Sequence, residues 1–391
     1  MQTTSNIERE RKFIPSLEGI RGYGFLFVFF AHYLLPWALP NHHSFVFFSW
    51  KMLKSLAYFA VPMFFVLSGY LIGGILYETR QREGFFRVFY LRRILRVFPV
   101  YYLTLIVVAC IDIALRFHLD YRFWINFLYI QNFLLEIPKR WSENPVPITH
   151  FWSLAVEEQF YLVWPLVVWF FPQRRKLIGI TCLLISVSWA VRLAAPILSL
   201  TLFQILYLTP TRVDGILLGV LLALLRGSSL LERIKPWAKW FALAGILGVA
   251  VRAALTVHEW PTSYLGTEIM LPLLNLVALA IVIEAMQENG WVNRVCSKSW
   301  ICWLGGRSYS LYIFHYIFYQ WYERSLLPAL SVHMRILFAI VTGSLIILAL
   351  TLVLSMLSYR YLEAPALRMK KHIRYGDAVA DRERTSVLAG T

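Results

Sequence analysis

The chain has 391 residues, 59% hydrophobic and 15% charged, with a mean hydropathy of +0.59. Soluble domains carry about 25% charged residues, so this composition excludes an ordinary soluble domain. The formal net charge of +16 does not mark a nucleic-acid binder, because Lys and Arg are parcelled into loops between apolar runs, the distribution that the positive-inside rule predicts.

The apolar runs do not alternate in polarity as barrel strands do over about ten residues. They predict an all-α membrane protein with about ten transmembrane helices, at 19–38, 56–77, 97–115, 151–171, 177–197, 206–225, 237–257, 266–286, 301–322 and 336–358. Each run is near the ~20 residues that a membrane helix needs. With alternate loops on opposite sides, the side of the N-terminus holds 25 Lys and Arg and the other side 10, Arg192 among them. That asymmetry predicts that both termini are cytoplasmic, and an even number of spans agrees. Residues 1–371 are expected to form one membrane domain, and 372–391 a polar, disordered tail. No cleavable signal peptide is expected, because the polar first fourteen residues lead into a run long enough to span. Cys110, Cys182, Cys296 and Cys302 lack metal-ligand spacing and read as free thiols or packing residues. No internal repeat is visible.

In chain order, span one carries Arg21 and His32, separated by the ten residues GYGFLFVFFA. Eleven helical positions turn about 1100°, which brings the pair within roughly 20° of one face and about 16 Å apart along the axis. With Arg21 at one surface, His32 lies near mid-depth. An ionisable residue there is costly and marks a functional site by default. Imidazole titrates near neutrality and suits a general base. A histidine hydrogen-bonded between packed helices is the plainer alternative. Span two contains Pro62–Gly74, with Ser68 deep in the membrane and Gly69, Gly73 and Gly74 allowing close helix approach.

Residues 80–96 hold six arginines among Phe and Tyr. They read as a cytoplasmic loop in which Arg92, Arg93 and Arg96 stand at the mouth of span three, with Pro99 in its first turn. Guanidinium groups suit multidentate phosphate recognition, and coenzyme A carries several phosphates. Topology and attraction to anionic lipid are the alternative. The outer loop 116–150 contains the apolar stretch Phe123–Leu135, too short to span and read as interfacial or re-entrant.

The string His150–Pro165 enters span four from the outer side. Glu157 and Glu158 lie one to two turns inside an apolar helix, where a carboxylate needs a partner or a polar cavity. His150 stands two turns before Glu157, nearly on its face; a capping cluster at the outer interface is the alternative. In span six, Arg212 and Asp214 are two residues apart, hence on different faces, and each is expected to pair on another helix. Span nine carries Arg307 and, eight residues on, His315. Glu363 closes the last span among basic residues, where a local salt bridge is the plainer reading.

Together these strings resemble the acyltransferase-3 family of membrane acyltransferases. The matching residues are Arg21-x10-His32; Phe64-Phe65-x-x-Ser68-Gly69; Arg93-x-x-Arg96-x-x-Pro99-x-Tyr101; and His150-x-Trp152-Ser153-Leu154-x-x-Glu157. Thr211-Arg212-x-Asp214-Gly215, Ser308-Tyr309-Ser310-Leu311-Tyr312-x-x-His315 and Glu363-x-Pro365 match as well. The similarity covers about residues 13–366. It implies transfer of an acyl group, commonly acetyl from acetyl-CoA, to a hydroxyl of a cell-surface glycoconjugate or of a macrolide-like small molecule. Many members add a further span and an extracytoplasmic hydrolase-like domain, which this sequence does not show.

The sequence therefore predicts an inner-membrane O-acyltransferase. Arg92, Arg93, Arg96 and Arg21 would hold the phosphates of acyl-CoA, His32 would deprotonate the acceptor hydroxyl or receive the acyl group, and Glu157 would hold the acceptor or orient a base. Ser68, His150, Arg212, Asp214, His315 and Glu363 are further candidates. The expected partners are acyl-CoA, a carbohydrate acceptor and the lipid bilayer, with no permanently bound cofactor or metal. The rival is a multi-span transporter whose intramembrane charges form a substrate path. It leaves the aromatic-rich arginine segment and the joint set of strings unexplained.

Overall fold

A computed structural model describes residues 14–34, 59–133, 146–255 and 264–376. Among these residues the ordered elements are helices, and the strand-like feature is an isolated bridge between Glu83 and Gly376. The polar N-terminal residues 1–13 and most of the predicted tail, 377–391, lie outside the described residues.

Each predicted span coincides with a helix or a broken series of helices. The continuous ones are α1 (Pro15–Tyr33), α2 (Ala60–Thr79), α3 (Phe85–Ala114), α4 (Trp152–Phe170), α5 (Arg174–Leu193), α7 (Ser229–Leu255), α8 (Tyr264–Ala285) and α10 (Ile336–Ser358). Span six divides into Leu202–Tyr207, Thr209–Arg212 and α6 (Asp214–Leu224). Span nine divides into Ser299–Gly305, α9 (Ser308–His315), Tyr319–Trp321, a π-helical turn at Tyr322–Leu326, and Leu327–His333. By length and composition, α2, α3, α5 and the continuous run from Ile336 to His372 can each cross a membrane. The chain is an all-α membrane protein. Ten crossings and two cytoplasmic termini remain expectations from the charge distribution.

Three expectations change. The arginine segment is a loop only in part: Arg80 and Arg82 lie in the turn before Gly84, whose φ of +71° suits glycine, but α3 starts at Phe85 and carries Arg87, Arg92, Arg93 and Arg96. Its 30 residues span about 45 Å, longer than a ~30 Å hydrocarbon core, so an arginine-bearing end can project past the bilayer on a rigid helix. Pro99 accordingly sits inside α3 rather than in its first turn. Arg192, counted as an outer-loop residue, is fully buried on α5, and the outer tally falls by one.

The stretch at 121–133 forms one α-helical turn and two 3-10 turns. It lies on α3 through Tyr101 Oη, which donates to the Asn126 carbonyl at 2.8 Å, and Tyr102 Oη, which donates to that of Phe127 at 3.0 Å. Gln131 Nε2 donates to the Phe151 carbonyl at 2.9 Å. Trp124 and Leu128 face outward. These short turns fit the expectation that 123–135 does not span, although residues 134 and 135 lie outside the described residues.

Helix α1 reaches every main apolar cluster. Leu17 and Ile20 join the core of α2, α4, α6 and α8; Val28 joins that of α3 and α9; Phe25, Phe29 and Tyr33 pack with Tyr322 and α10. The helix with Arg21 and His32 is thus the axis of the bundle. One of the tightest crossings joins α2 to α6. A Cβ on Gly69 would collide with the Ile216 carbonyl oxygen, and one on Gly219 with that of Val66. Only glycine lets the two backbones approach so closely.

This crossing generates a prediction. Gly219→Ala should lower stability by about 1–3 kcal/mol, the usual cost of overpacking, seen as a lower apparent Tm of the detergent-purified protein. Gly219→Val should abolish recovery of monodisperse protein. Unchanged melting in both variants would refute the close approach.

Candidate active site

A cavity of about 100 Å³ lies between α1, α2, α3, α4 and α9. Its lining includes Arg21, Ser68, Arg93, Arg96, Glu157 and Glu158, together with the hydroxyl residues Ser153, Tyr161, Ser308, Tyr309 and Tyr312. The fold therefore unites five of the sequence-predicted residues. Helix α3 contributes guanidinium groups three residues apart, on one face, and α4 contributes the two carboxylates. Both glutamates are half-buried, open to this polar space as an intramembrane carboxylate requires.

The cavity groups are organised by hydrogen bonds. Arg21 Nη1 meets Glu18 Oε1 at 2.6 Å, one turn away on α1. Tyr161 Oη donates to Glu157 Oε2 at 3.1 Å and also meets Ser68 Oγ. The Arg93 guanidinium lies 4.4 Å from the centroid of the Tyr161 ring, a cation–π contact. Among the described residues, Arg93 and Arg96 form no ion pair with Glu157 or Glu158 within 4.0 Å. Guanidinium groups left without a carboxylate partner retain donors for a ligand anion.

His32 does not line this cavity. It belongs to a cluster with His315 and His150, in which the His315 ring centroid lies 5.2 Å from that of His32 and 5.1 Å from that of His150. Tyr312 is common to both compartments. Its ring lines the cavity, its hydroxyl meets Ser153 Oγ at 2.6 Å and donates to the His150 carbonyl at 3.0 Å, and its own carbonyl meets His315 Nδ1 at 2.6 Å.

That last contact fixes the tautomers. A carbonyl oxygen only accepts, so His315 Nδ1 carries a hydrogen. A neutral imidazole then has its lone pair on Nε2. His315 Nε2 lies 3.2 Å from His32 Nδ1, so His32 Nδ1 carries the hydrogen between them. The remaining ring nitrogen of His32, Nε2, holds a lone pair. His150 Nε2 likewise donates to the Ile313 carbonyl at 3.1 Å, and its Nδ1 has no partner among the described residues.

Other candidates lie elsewhere. Arg92 Nε donates to the Ile373 carbonyl at 2.8 Å and its guanidinium sits 5.4 Å from the Tyr375 ring, so it ties α3 to the C-terminal segment and does not line the cavity. His150 is buried against α9 instead of capping an outer interface. Asp214 finds its partner on another helix, as expected: Arg192 Nη1 and Nη2 reach its two oxygens at 3.0 and 2.6 Å. Arg212 meets rings rather than a carboxylate. Glu363 lies in the π-helical turn Tyr359–Glu363, 3.5 Å from Ser358 Oγ, and makes no ion pair among the described residues. Its expected salt bridge is therefore not formed.

Sequence reasoning did not single out Tyr161, Ser153 or Tyr312. Tyr161 follows Glu157 by four residues, a spacing that aligns two side chains on one helix face. The other two sit inside strings already noted, but only the tertiary fold gives them partners.

The acyltransferase domain family matches residues 14–360. Peptidoglycan O-acetyltransferase OatA of Listeria monocytogenes is 26% identical over 95% of this chain and 58% of its own length. YrhL of Bacillus subtilis, provisionally named a peptidoglycan O-acetyltransferase, is 26% identical over 79% of this chain and 49% of its own length. A provisionally named O-acetyltransferase of Staphylococcus aureus is 24% identical over 91% of this chain and 58% of its own. The chain spans about half the length of these relatives. No solved structure matches it. The match over residues 14–360, in a chain whose fold sets a polar, arginine-lined cavity beside a histidine cluster, means that this chain belongs to the acyltransferase-3 family.

Proposed function

We propose that the protein transfers an acyl group, acetyl in the simplest case, from acyl-CoA to a hydroxyl of a cell-wall or other cell-surface glycoconjugate, working in the inner (plasma) membrane with both termini in the cytoplasm. The observation that carries this reading is a cavity lined by Arg21, Arg93 and Arg96 together with Tyr312, whose carbonyl meets His315 and so adjoins the His315–His32 pair. A cavity of about 100 Å³ suits the acyl end of a thioester arm. The phosphates would lie towards the arginines, where bidentate guanidinium contacts favour them. Arg92, held by Ile373, shapes the α3 mouth and is outside the donor set. The names of the relatives favour a glycan acceptor over a macrolide.

In this mechanism His32 Nε2 takes the proton of the acceptor hydroxyl as its oxygen attacks the thioester carbonyl. The C–S bond breaks, and the CoA thiolate recovers the proton from His32. The sum is ester plus free CoA. An acyl-histidine route would use the same lone pair. His315 holds His32 in the productive tautomer and can share the proton through its own Nε2. Glu157, held by Tyr161, positions polar groups of the reactants. The packed interior excludes water that would hydrolyse the thioester.

Three predictions test the proposal. His32→Ala should lower acyl transfer in membranes by about 10²–10⁴-fold, the value of a general base. His32→Gln should fail as well, since an amide hydrogen-bonds but takes no proton at neutral pH. CoA binding should persist in both. Near-normal transfer by the Gln variant, normalised to protein level, would remove His32 from the chemistry.

Arg93→Ala and Arg96→Ala should each weaken CoA binding by about 10- to 150-fold, equivalent to the ~1.5–3 kcal/mol of a charge-assisted hydrogen bond. Lys should rescue only partly. Thermal stabilisation by CoA reads the effect, and normal stabilisation of both Ala variants would assign these arginines to topology and lipid contact.

Single cysteines placed at 5, 82 and 385 of a cysteine-free variant should resist membrane-impermeant maleimide in intact cells, whereas one at 118 should react. A reactive residue 385 would overturn the topology.

A further inference from the structure

Arg212 is a buried cation that the mechanism above does not use. It is 5% exposed, and its Nε and Nη1 have no hydrogen-bond partner among the described residues. Asp214 makes no hydrogen bond or ion pair with it, being held by Arg192 and Trp189. One carboxylate oxygen accepts from Arg192 Nη1, and the other from Arg192 Nη2 and from Trp189 Nε1 at 3.0 Å. Among the described residues, two guanidinium groups share this one carboxylate, which leaves a net positive charge. Arg212 lies instead 5.4 Å from the Trp152 ring and 5.8 Å from that of Phe65. Cation–π contacts offset part of a desolvation cost, but they leave the in-plane N–H donors unused. The residue ends the turn Thr209–Arg212, just before the 11-residue α6, whose first amides also favour an anion. The half-buried ring of Trp152, which meets Arg212, lies 4.9 Å from that of Tyr207 at a 56° tilt, so the two rings offer an aromatic surface for a sugar.

We infer that Arg212 is an anion subsite for the acceptor, receiving a carboxylate or phosphate group of an acidic glycan while Trp152 and Tyr207 contact its rings. This rests on the acyl-transfer reading and on the outer position that the topology gives the start of α4 and the turn before α6. An unsatisfied buried guanidinium is costly, and an incoming oxyanion supplies the missing acceptor atoms. The acceptor class then narrows to glycans bearing negative charge near the acylated hydroxyl.

The test uses the full-length protein in neutral detergent, with thermal stabilisation as the readout and four probes: CoA, tetragalacturonate, cellotetraose and phosphatidylglycerol. Wild type should bind tetragalacturonate at least about 10-fold more tightly than cellotetraose, the factor expected of one charge-assisted contact. Arg212→Gln should remove that difference and keep CoA stabilisation; Arg212→Lys should retain part of it. Without ligand, the Gln variant should melt no lower than wild type, because it removes an uncompensated charge. A lower melting temperature with unchanged tetragalacturonate binding would make Arg212 structural. Loss of CoA stabilisation would assign it to the donor, and an Arg212-dependent response to phosphatidylglycerol alone would assign it to lipid; each overturns the inference. No preference of wild type for tetragalacturonate over cellotetraose overturns it too. Failure of CoA to stabilise wild type would instead strike the donor reading and leave the tetragalacturonate comparison to stand by itself.

Discussion

The constraint on which this structure depends is that a charge inside a bilayer must find a partner, a ring or a polar cavity. Bare transfer of an ionised group into an apolar medium costs far more than a fold can supply. Arg192 and Asp214 meet the constraint as a fully buried bidentate pair, with Trp189 Nε1 as a third donor to the carboxylate. Arg307 meets it between Trp303 and Tyr359, 4.2 and 4.6 Å from their ring centroids. Arg21, Arg93, Arg96, Glu157 and Glu158 meet it by facing one cavity. Removing one partner from such a set is worse than never building it, since the survivor stays buried alone. Charged positions are therefore coupled across helices distant in sequence.

The same rule explains the division of labour around Tyr312. The cavity collects charge, whereas the cluster beside it collects imidazole rings. Carbonyl groups define the cluster: Tyr312 for His315, and Ile313 for His150. Both carbonyls belong to the break that ends α9 after His315. The free carbonyls of a helix end must be satisfied by something other than the next turn, and here imidazole N–H groups satisfy them. A helix interruption thus becomes a tautomer selector, and the selection passes along the chain of rings to His32.

Much of this could be read from the residues. The apolar runs locate each helix, because the bilayer imposes length and hydrophobicity together, although α3 and α7 start at Phe85 and Ser229, well before the runs at 97 and 237. The charged strings identify the polar positions, because nothing else tolerates them there. What could not be read is who meets whom. Arg21-x10-His32 reports a shared helix face, yet Arg21 turns to the cavity and His32 to a histidine 283 positions away. Arg92, Arg93 and Arg96 look equivalent in sequence. Arg92 is drawn off by a carbonyl of the C-terminal segment, which no local pattern encodes. The start of α3 was missed for a physical reason: hydropathy registers the apolar part of a helix and is blind to its arginine-rich end, although Arg has a high helix propensity.

The two interrupted spans are the places where local rules conflict and chemistry concentrates. In span six, Thr209-Pro210-Thr211-Arg212 carries a proline, two hydroxyls and a charge through an apolar run, and the helix breaks on both sides of it. In span nine, Gly306-Arg307 separates Ser299–Gly305 from α9, and a π-helical turn follows further on. Irregular backbone at membrane depth persists only where protein or a polar cavity covers it. Here the Asn132 amide bonds the Tyr207 carbonyl and Thr209 hydroxyl, while Thr211 Oγ1 returns to the Leu208 carbonyl. With the backbone so secured, the break is free to turn Asp214 towards α5 and Arg212 towards Trp152. A continuous helix would hold the two side chains at a fixed angle on one cylinder. The interruption lets adjacent charges serve different helices, one spent on the fold and the other left open.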